Sequence, residues 1–404
     1  MHRLWGSRMT DRFGGVPDRA DVKSFIAMDV LRRAGELKAS GRDVLFLSVG
    51  QPAAPAPLAA REAAAELAMG GTVGYTDAGG RRDLRDALRA HYERTYGVAV
   101  ESDRIFVTTG SSGGFVLSFL GFFSPGESIA LASPGYAAYR NIIRSCSLDC
   151  REIAVDADSR WTLTADILER AWNGKPFHGL LIASPANPNG TMTPPDALEA
   201  ICDWCERRNV RLISDEIYHS LHFAEETGIE QETALRFTDE AIVVNSFSKY
   251  FCMTGWRVGW LILPPSRVAD VERLAQNLFI CAPEISQVAA RAALGETVEL
   301  EQVREGYRRN RKLMLDRLPR LGFREVLPVD GAFYAYADAS TLTDDTFEWC
   351  GRLLEDTGVA VTPGNDFDLE RGHRYVRFSF AGAHEDIAEA LDRIGTWLGE
   401  PGSR

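Results

Sequence analysis

Ala241-Ile242-Val243-Val244-Asn245-Ser246-Phe247-Ser248-Lys249-Tyr250 is the stretch that decides the fold of this chain. Its first four residues form a short apolar, β-branched run, the pattern of a strand buried on both faces, and polar residues begin where such a strand ends. The chain holds five lysines against 40 arginines. Arginine already serves as the surface cation, so a lysine here points to chemistry. A Schiff base needs a primary amine that can lose its proton, which a desolvated lysine offers and a guanidinium does not. The alternative is an ordinary strand-end lysine with its ammonium in water.

The same pattern recurs on both sides of this stretch. From about Arg104 to Leu263, apolar runs alternate with helical stretches: Ile105-Phe106-Val107-Thr108, Ser128-Ile129-Ala130-Leu131, Gly179-Leu180-Leu181-Ile182-Ala183, Arg211-Leu212-Ile213-Ser214 and Gly259-Trp260-Leu261-Ile262-Leu263. That alternation predicts an α/β fold, a large domain with a mostly parallel sheet flanked by helices. Residues 20–45 read as a helix entered from a polar arm, and 285–325 as long helices. Beyond these, strands at 332–336 and 375–380 mix with helices at 346–356 and 384–398. A smaller α+β domain, formed by the N-terminal arm and the C-terminal part, is therefore expected. The predicted division is 1–45 for the arm and part of the small domain, 46–285 for the large domain and 286–404 for the small C-terminal domain.

In an open parallel sheet, ligands bind at the carboxyl ends of the strands. After Val107 comes Thr108-Thr109-Gly110-Ser111-Ser112-Gly113-Gly114 and then an apolar helix, which places free backbone N–H groups where an anion would sit. This loop lacks the endings of nucleotide-binding loops, so a lone phosphate monoester is the better fit. After Ile182 comes Ser184-Pro185-Ala186-Asn187-Pro188-Asn189-Gly190, a turn that aims the Asn187 amide at the same cleft or is simply a turn asparagine. After Ile213 comes Ser214-Asp215-Glu216-Ile217-Tyr218, and a carboxylate leaving such an apolar strand needs a partner. A protonated ring nitrogen would serve. With Ser246, Ser248 and Lys249, the strand ends supply an anion cradle, an amide, a carboxylate and an amine, a set that suits pyridoxal 5′-phosphate.

With 404 residues, 45% of them hydrophobic, 25% charged and 10% aromatic, the chain is in the range of a soluble globular protein of two domains. A net charge of −12 and the lack of a basic stripe argue against nucleic acid as a partner. The most apolar stretch, 115–123, is interrupted by Ser118 and Gly121 and has about half the ~20 residues a membrane span needs. No membrane association is expected. The N-terminus has no apolar signal core, Met9 is an alternative start, and the expected location is cytoplasmic. Seven scattered cysteines suggest reduced thiols. Cys202-x-x-Cys205 has no second pair at zinc spacing, and Glu216-x-x-His219 has no second copy to make a metal centre, so no metal is expected.

Ser246-Phe-Ser-Lys249-Tyr-Phe-Cys-Met-Thr-Gly-Trp-Arg257-Val-Gly resembles the cofactor-lysine motif of the class I and II aminotransferases, pyridoxal-phosphate enzymes of fold type I. The resemblance runs from about Val22 to Trp397. It takes in Gly50-Gln51-Pro52, Gly74-Tyr75-Thr76, the Gly110 loop, Pro134-Gly-Tyr136, Asn187-Pro-Asn-Gly190, Asp215-Glu-Ile-Tyr218, Gly331-Ala-Phe-Tyr334 and Arg377-Phe-Ser-Phe. It implies that Lys249 forms the Schiff base and shuttles a proton, and that Asp215 pairs with the pyridinium nitrogen. Asn187 and Tyr218 would bond the ring's phenolic oxygen, and Tyr136 would stack on its face. Gly110, Ser111, Ser112, Ser246, Ser248 and Arg257 would hold the phosphate. Tyr75 would reach the phosphate of a neighbouring subunit, which implies a homodimer. Arg377 would grip the substrate α-carboxylate, with Gly50 adding a backbone contact and Asn187 lying beside the substrate.

The implied reaction is transfer of the amino group of an α-amino acid to a 2-oxo acid by a ping-pong cycle. The same groups would also serve a β-carbon-sulfur lyase or other chemistry at the α-carbon. A non-enzymatic regulator fused to a DNA-binding module is a remoter alternative, because only about twenty polar residues precede the first helix. Some bacterial aspartate enzymes of the family carry a lysine where Ser112 stands, which removes one support for a dicarboxylate substrate. The loop Gln51-Pro52-Ala-Ala-Pro55-Ala-Pro57 and Ala137 also depart from commoner family residues at the substrate mouth. His219, His222 and Phe25 are pocket candidates, but each reads more readily as packing or surface.

Overall fold

The computed structural model describes residues 17–399. The beginning of the polar arm, both candidate start methionines and the last five residues of the 286–404 segment lie outside these. Helix α1 (Ile26–Ala39) leads to strand β1 (Leu45–Phe46), and helices α2 (Leu58–Gly70) and α3 (Arg82–Tyr96) precede the main sheet. That sheet contains β2 (Ile105–Thr108), β3 (Ser128–Ser133), β4 (Asp149–Ala154), β5 (Gly179–Ala183), β6 (Arg211–Asp215), β7 (Ile242–Ser246) and β8 (Gly259–Ile262). Its spatial order is β2-β8-β7-β6-β5-β3-β4. Helices α4 (Gly110–Phe122), α5 (Ala137–Ser145), α6 (Ala165–Gly174) and α7 (Pro195–Arg208) carry the chain between its parallel strands.

Every apolar run quoted from the sequence is a strand of this sheet. All five residues of β7 are buried, because helices cover both faces and only an unbroken apolar run satisfies both. The strand β8 departs from the parallel pattern: it runs antiparallel to both β2 and β7. The connection 247–258 holds turns and the 3-10 turn Thr254–Trp256 but no α-helix, the element that usually carries a chain across the sheet to a parallel return. The edge strand β4, Asp-Cys-Arg-Glu-Ile-Ala, is mostly half-buried, with only Ile153 fully so, and has no apolar run to announce it.

Beyond the sheet come α8 (Ala224–Thr227), α9 (Val268–Leu278), α10 (Glu284–Ala293) and the long α11 (Thr297–Arg320). Strands β9 (Glu325–Val326) and β10 (Tyr334–Asp338), helix α12 (Thr346–Thr357), strands β11 (Val359–Ala360), β12 (Thr362–Pro363) and β13 (Tyr375–Ser379), and helix α13 (His384–Leu398) follow. A second, antiparallel sheet has the order β12-β13-β10-β9, while β1 pairs parallel with β11. The two ends of the described chain therefore share a core, in which Leu45 and Leu47 pack among Phe378, Leu391 and Ile394. Strand β10 begins two residues later than the sequence suggests, since Ala332 has a φ of 58° and cannot extend a strand. Helix α1 begins where the Asp366 carboxylate accepts the Ile26 and Ala27 N–H groups at 3.1 and 3.0 Å, two donors that an α-helix leaves open at its N-terminus.

Candidate active site

The ends of β2, β5, β6 and β7 deliver Thr108, Ala183, Asp215 and Ser246 to one edge of the sheet, as strand direction requires. At the end of β2 the chain turns into α4 through Gly110, whose φ is 72°. A Cβ there would lie 2.4 Å from Arg257 Nη2, so glycine is needed both for the turn and for the close approach of the guanidinium. Strand β8 passes beneath this loop, since a Cβ on Gly259 would meet Ser111 N at 3.0 Å. On the other side Ser246 Oγ lies 2.8 Å from Ser248 Oγ, both residues being buried. The free N–H groups at the start of α4, two hydroxyls and a guanidinium thus surround a space without a carboxylate donor set, which is the chemistry of a phosphate site.

Lys249 Nζ donates to the Gly50 carbonyl at 2.7 Å, and sits 5.7 Å from the ring centre of Tyr218 and 5.9 Å from that of Phe333. Burial, followed by the nearby Arg377 and Arg257 charges, lowers its pKa to about 8. Asp215 ends β6 with both carboxylate oxygens held: Tyr139 OH donates to Oδ2, and the Ile217 N–H donates to Oδ1 at 3.0 Å. Burial raises its pKa to about 6, against the pull of those two donors and of Lys249. Tyr218 OH meets Tyr334 OH at 2.8 Å.

Arg377, on β13, reaches across from the second sheet. Its Nη1 donates to Asn187 Oδ1 at 2.8 Å and its Nη2 to the Ser48 carbonyl, while the guanidinium lies 4.5 Å from the ring centres of both Tyr334 and Phe367. Two aromatic faces fix its plane. Its Nε is buried with no partner, which leaves a donor for an incoming carboxylate. Tyr136 precedes α5 and packs edge-on against Phe25 and Tyr139.

The structure thus gathers Lys249, Gly50, Tyr218, Asn187, Arg377 and Asp215 with its Tyr139 partner, and sets Arg257 over Gly110 beside Ser111. Ser112 is exposed at the rim. Tyr75 is not gathered with them: it is 83% exposed on a segment pinned by Gly74 N–H to Glu284 at 2.7 Å. His219 is buried and bonds Tyr96, away from the cleft, and His222 bridges to Gly331. Residues that the sequence reading gave no role are Tyr139, Tyr334, Phe367 and Ser48. Tyr139 stands in the first turn of α5, just after the motif residue Tyr136 that caps it, and this closeness in sequence is its only signal; Ser48 acts through its carbonyl, which no side-chain pattern reports. Among the described residues no group of three His, Cys, Asp or Glu side chains could hold a metal ion.

Gly50 carries a test of how tightly this site is packed. A Cβ there would fall 1.6 Å from Tyr334 OH, and Tyr334 is fully buried. Gly50→Ala is therefore expected to displace Tyr334 from Tyr218 and to cost roughly 1–3 kcal/mol, the usual penalty of overpacking. A melting temperature equal to that of the unsubstituted protein would show that the segment has slack.

The donor set fits pyridoxal phosphate: a cradle at Gly110 that a Cβ would fill, a buried amine, a buried carboxylate to face a ring nitrogen, and an unpaired guanidinium N–H. With the mostly parallel sheet, these groups define a fold type I pyridoxal-phosphate enzyme. The sequence profile of the family Aminotransferase class I and II matches residues 42–394, and the chain belongs to that family. It is 47% identical over 392 residues to a valine–pyruvate aminotransferase of Mycobacterium tuberculosis, covering 96% of this chain and 99% of that protein. The crystal structure of an aminotransferase from Mycobacterium tuberculosis superimposes with a TM-score of 0.92 at 46% identity, covering 96% and 100% of the two chains. Thermus thermophilus aspartate aminotransferase with maleate gives 0.88 at 29% identity, covering 95% and 99%. The protein is a pyridoxal-phosphate-dependent aminotransferase, with amino acid and 2-oxo acid substrates. Among the described residues no helix is long and apolar enough to cross a membrane.

Proposed function

We propose that this chain transfers the amino group of a neutral aliphatic amino acid, with valine the foremost candidate, to pyruvate in a ping-pong cycle. The observation that carries the assignment of roles is the convergence of Lys249, Asp215 and Arg377 from β7, β6 and β13 on one cleft. The donor and acceptor rest on the likeness to the valine–pyruvate enzyme. A neutral side chain also accords with the guanidinium groups of this chain: among the described residues the unpaired buried N–H near Lys249 belongs to Arg377, while Arg140 is spent on Glu152 and the Asp366 carbonyl.

Bound pyridoxal phosphate supplies an aldehyde for the amine and a ring that draws electrons from the substrate α-carbon. The chain's own part is acid-base and positional. Arg377 holds the α-carboxylate with its plane fixed by Tyr334 and Phe367, and Asn187 fixes that fork from behind. Lys249 Nζ would take the proton from the α-carbon and return it after the electrons have moved. Asp215, kept ionised by Tyr139 and Ile217, would pair with the ring nitrogen, and Tyr218 would bond the phenolic oxygen. Gly110, Ser111, Ser112, Ser246, Ser248 and Arg257 would hold the phosphate, and Tyr136 would pack on the ring.

The working unit is proposed to be a cytoplasmic homodimer in which Tyr75 reaches its partner's phosphate site. Exposed Tyr75, Val73 and Ile280 on adjoining segments support such an interface, and seven free cysteines suit a reducing compartment. The proposed domain division is 1–45, 46–285 and 286–404, the first and last sharing one core.

A substrate panel tests the reaction. Valine should bleach the visible band of the loaded protein and pyruvate should restore it, with a higher kcat/KM than aspartate. Preference for aspartate would overturn the neutral-substrate reading; ammonia and pyruvate formed from a cysteine conjugate, without an oxo acid acceptor, would make it a lyase.

A further inference from the structure

Directly behind Asp215 lies a carboxyl group that the reaction does not use. Glu216 is 1% exposed. Its Oε1 accepts three hydrogen bonds, from Ser214 Oγ at 3.1 Å, Thr233 Oγ1 at 2.9 Å and the Ala234 N–H at 3.1 Å. Its Oε2 accepts none. The nearest candidate cation is His219, with Nδ1 3.5 Å from Oε2, and the direction of the surrounding hydrogen bonds decides whether that imidazole can carry a charge.

His219 also hydrogen-bonds the Ser184 backbone, so a neutral ring keeps its one N–H there and presents Nδ1 as an acceptor. Tyr96 OH lies 2.6 Å from that Nδ1 and accepts from the Gln231 amide nitrogen at 3.1 Å, Gln231 being oriented by the Ser220 N–H that its Oε1 accepts at 2.5 Å. A ring so arranged has no proton to offer Glu216. Burial, with His222 and His91 adding to it, lowers the His219 pKa to about 3. The other groups facing Glu216 are Asp215, Tyr92 and Tyr96 of α3, and Cys202 of α7. Arg236 is spent on Glu232 and the Tyr96 carbonyl. No free cation remains among these, and a buried carboxylate oxygen with neither donor nor counter-charge is costly.

We propose that Glu216 is held as the neutral carboxylic acid, its proton on Oε2, and is a positioning residue that leaves Asp215, among the described residues, the only anion at the inner end of the site. The three donors on Oε1 pin the turn that follows Asp215, and Glu216 N–H bonds the Val244 carbonyl at 2.8 Å, tying that turn to β7. Ionisation of Glu216 would set two adjacent buried carboxylates against each other, raising the proton affinity of Asp215 and weakening its hold on a ring nitrogen. The inference stands whichever amino acid is the donor.

The full chain loaded with pyridoxal phosphate, unsubstituted and as Glu216→Gln, tests it through melting temperature between pH 5 and pH 9. Burial raises the Glu216 pKa from 4.5 to about 8. Stability from the bound proton is therefore complete below the unfolded value and lost as pH rises through the folded one. Glutamine has no such proton, so the variant should gain on the unsubstituted protein from pH 5 to about pH 8 and run parallel above it. A melting-temperature difference, variant minus unsubstituted protein, that is constant from pH 5 to pH 8 or that falls as pH rises would overturn the proposal. Infrared spectra of the unsubstituted protein keep the test alive should the variant not fold: a protonated-carboxyl band at pH 7 that disappears by pH 9 is expected, and its absence at pH 7 would refute the assignment.

Discussion

Lys249→Ala is expected to fold, to keep pyridoxal phosphate through the groups around Gly110, and to lose nearly all turnover, with no visible band of lysine-bound cofactor. The acid-base role alone accounts for a drop of ~10²–10⁴-fold. Losing the covalent attachment adds to it. The environment of Nζ explains why no other residue substitutes. At a pKa of about 8, the amine is about one-tenth neutral at pH 7, roughly 300 times more than an unperturbed lysine. Its nearest cations, Arg377 and Arg257, cannot give up a proton. The same shift makes cofactor capture by the empty protein pH-dependent: the rate should climb with pH and level off above about pH 8. Stability moves in a known direction too. A lowered lysine pKa gives a stabilising contribution that is present above 10.5 and lost as pH falls through about 8, so at pH 7 the unsubstituted protein bears that penalty and the variant does not. Turnover by Lys249→Ala within tenfold of the unsubstituted protein would remove Lys249 from the chemistry.

The parts of this site that could be read from the sequence share one property: each is announced by local pattern. Lys249, Asp215, Asn187 and Gly110 all follow an apolar run, and in a parallel sheet the end of such a run is a place in space. Strand β4 has polar residues, Asp149, Arg151 and Glu152, in place of an apolar run, so its pairing with β3 comes from tertiary context. The antiparallel course of β8 goes with a connection that has no crossover helix and is not announced by the composition of the strand itself. Tyr334 was visible as a motif residue, yet its role depends on Gly50, 284 positions away, lacking a Cβ. Glu216 and His219 show the limit most clearly. Their i, i+3 spacing suits a metal centre, an ion pair or a neutral pair equally well, and only the burial of His219 with its bonds to Ser184 and Tyr96 selects among these. Hydrogen-bond direction is a property of assembled neighbours, which no single segment encodes.

Arg377→Lys should weaken every α-carboxylate substrate while leaving the cofactor in place. The arginine is held on four sides, by Asn187 Oδ1, the Ser48 carbonyl and the rings of Tyr334 and Phe367, and only 2% of it is exposed. A planar fork in that slot can satisfy Asn187 and Ser48 and still present Nε to a ligand. Lysine has one nitrogen for all three duties and no plane to lie between two rings. Loss of a hydrogen bond to a charged group costs ~1.5–3 kcal/mol, which corresponds to about 10- to 150-fold in affinity. The effect should appear in KM or in the concentration of amino acid that bleaches the visible band, for donors and oxo acid acceptors alike, because both carry the carboxylate. Simple amines without a carboxylate provide the control and should react no worse with the variant. Unchanged affinity for amino acids in Arg377→Lys would place the carboxylate contact elsewhere in the cleft, and an equal loss for amines and amino acids would mean that the substitution had distorted Asn187 or Tyr334 instead.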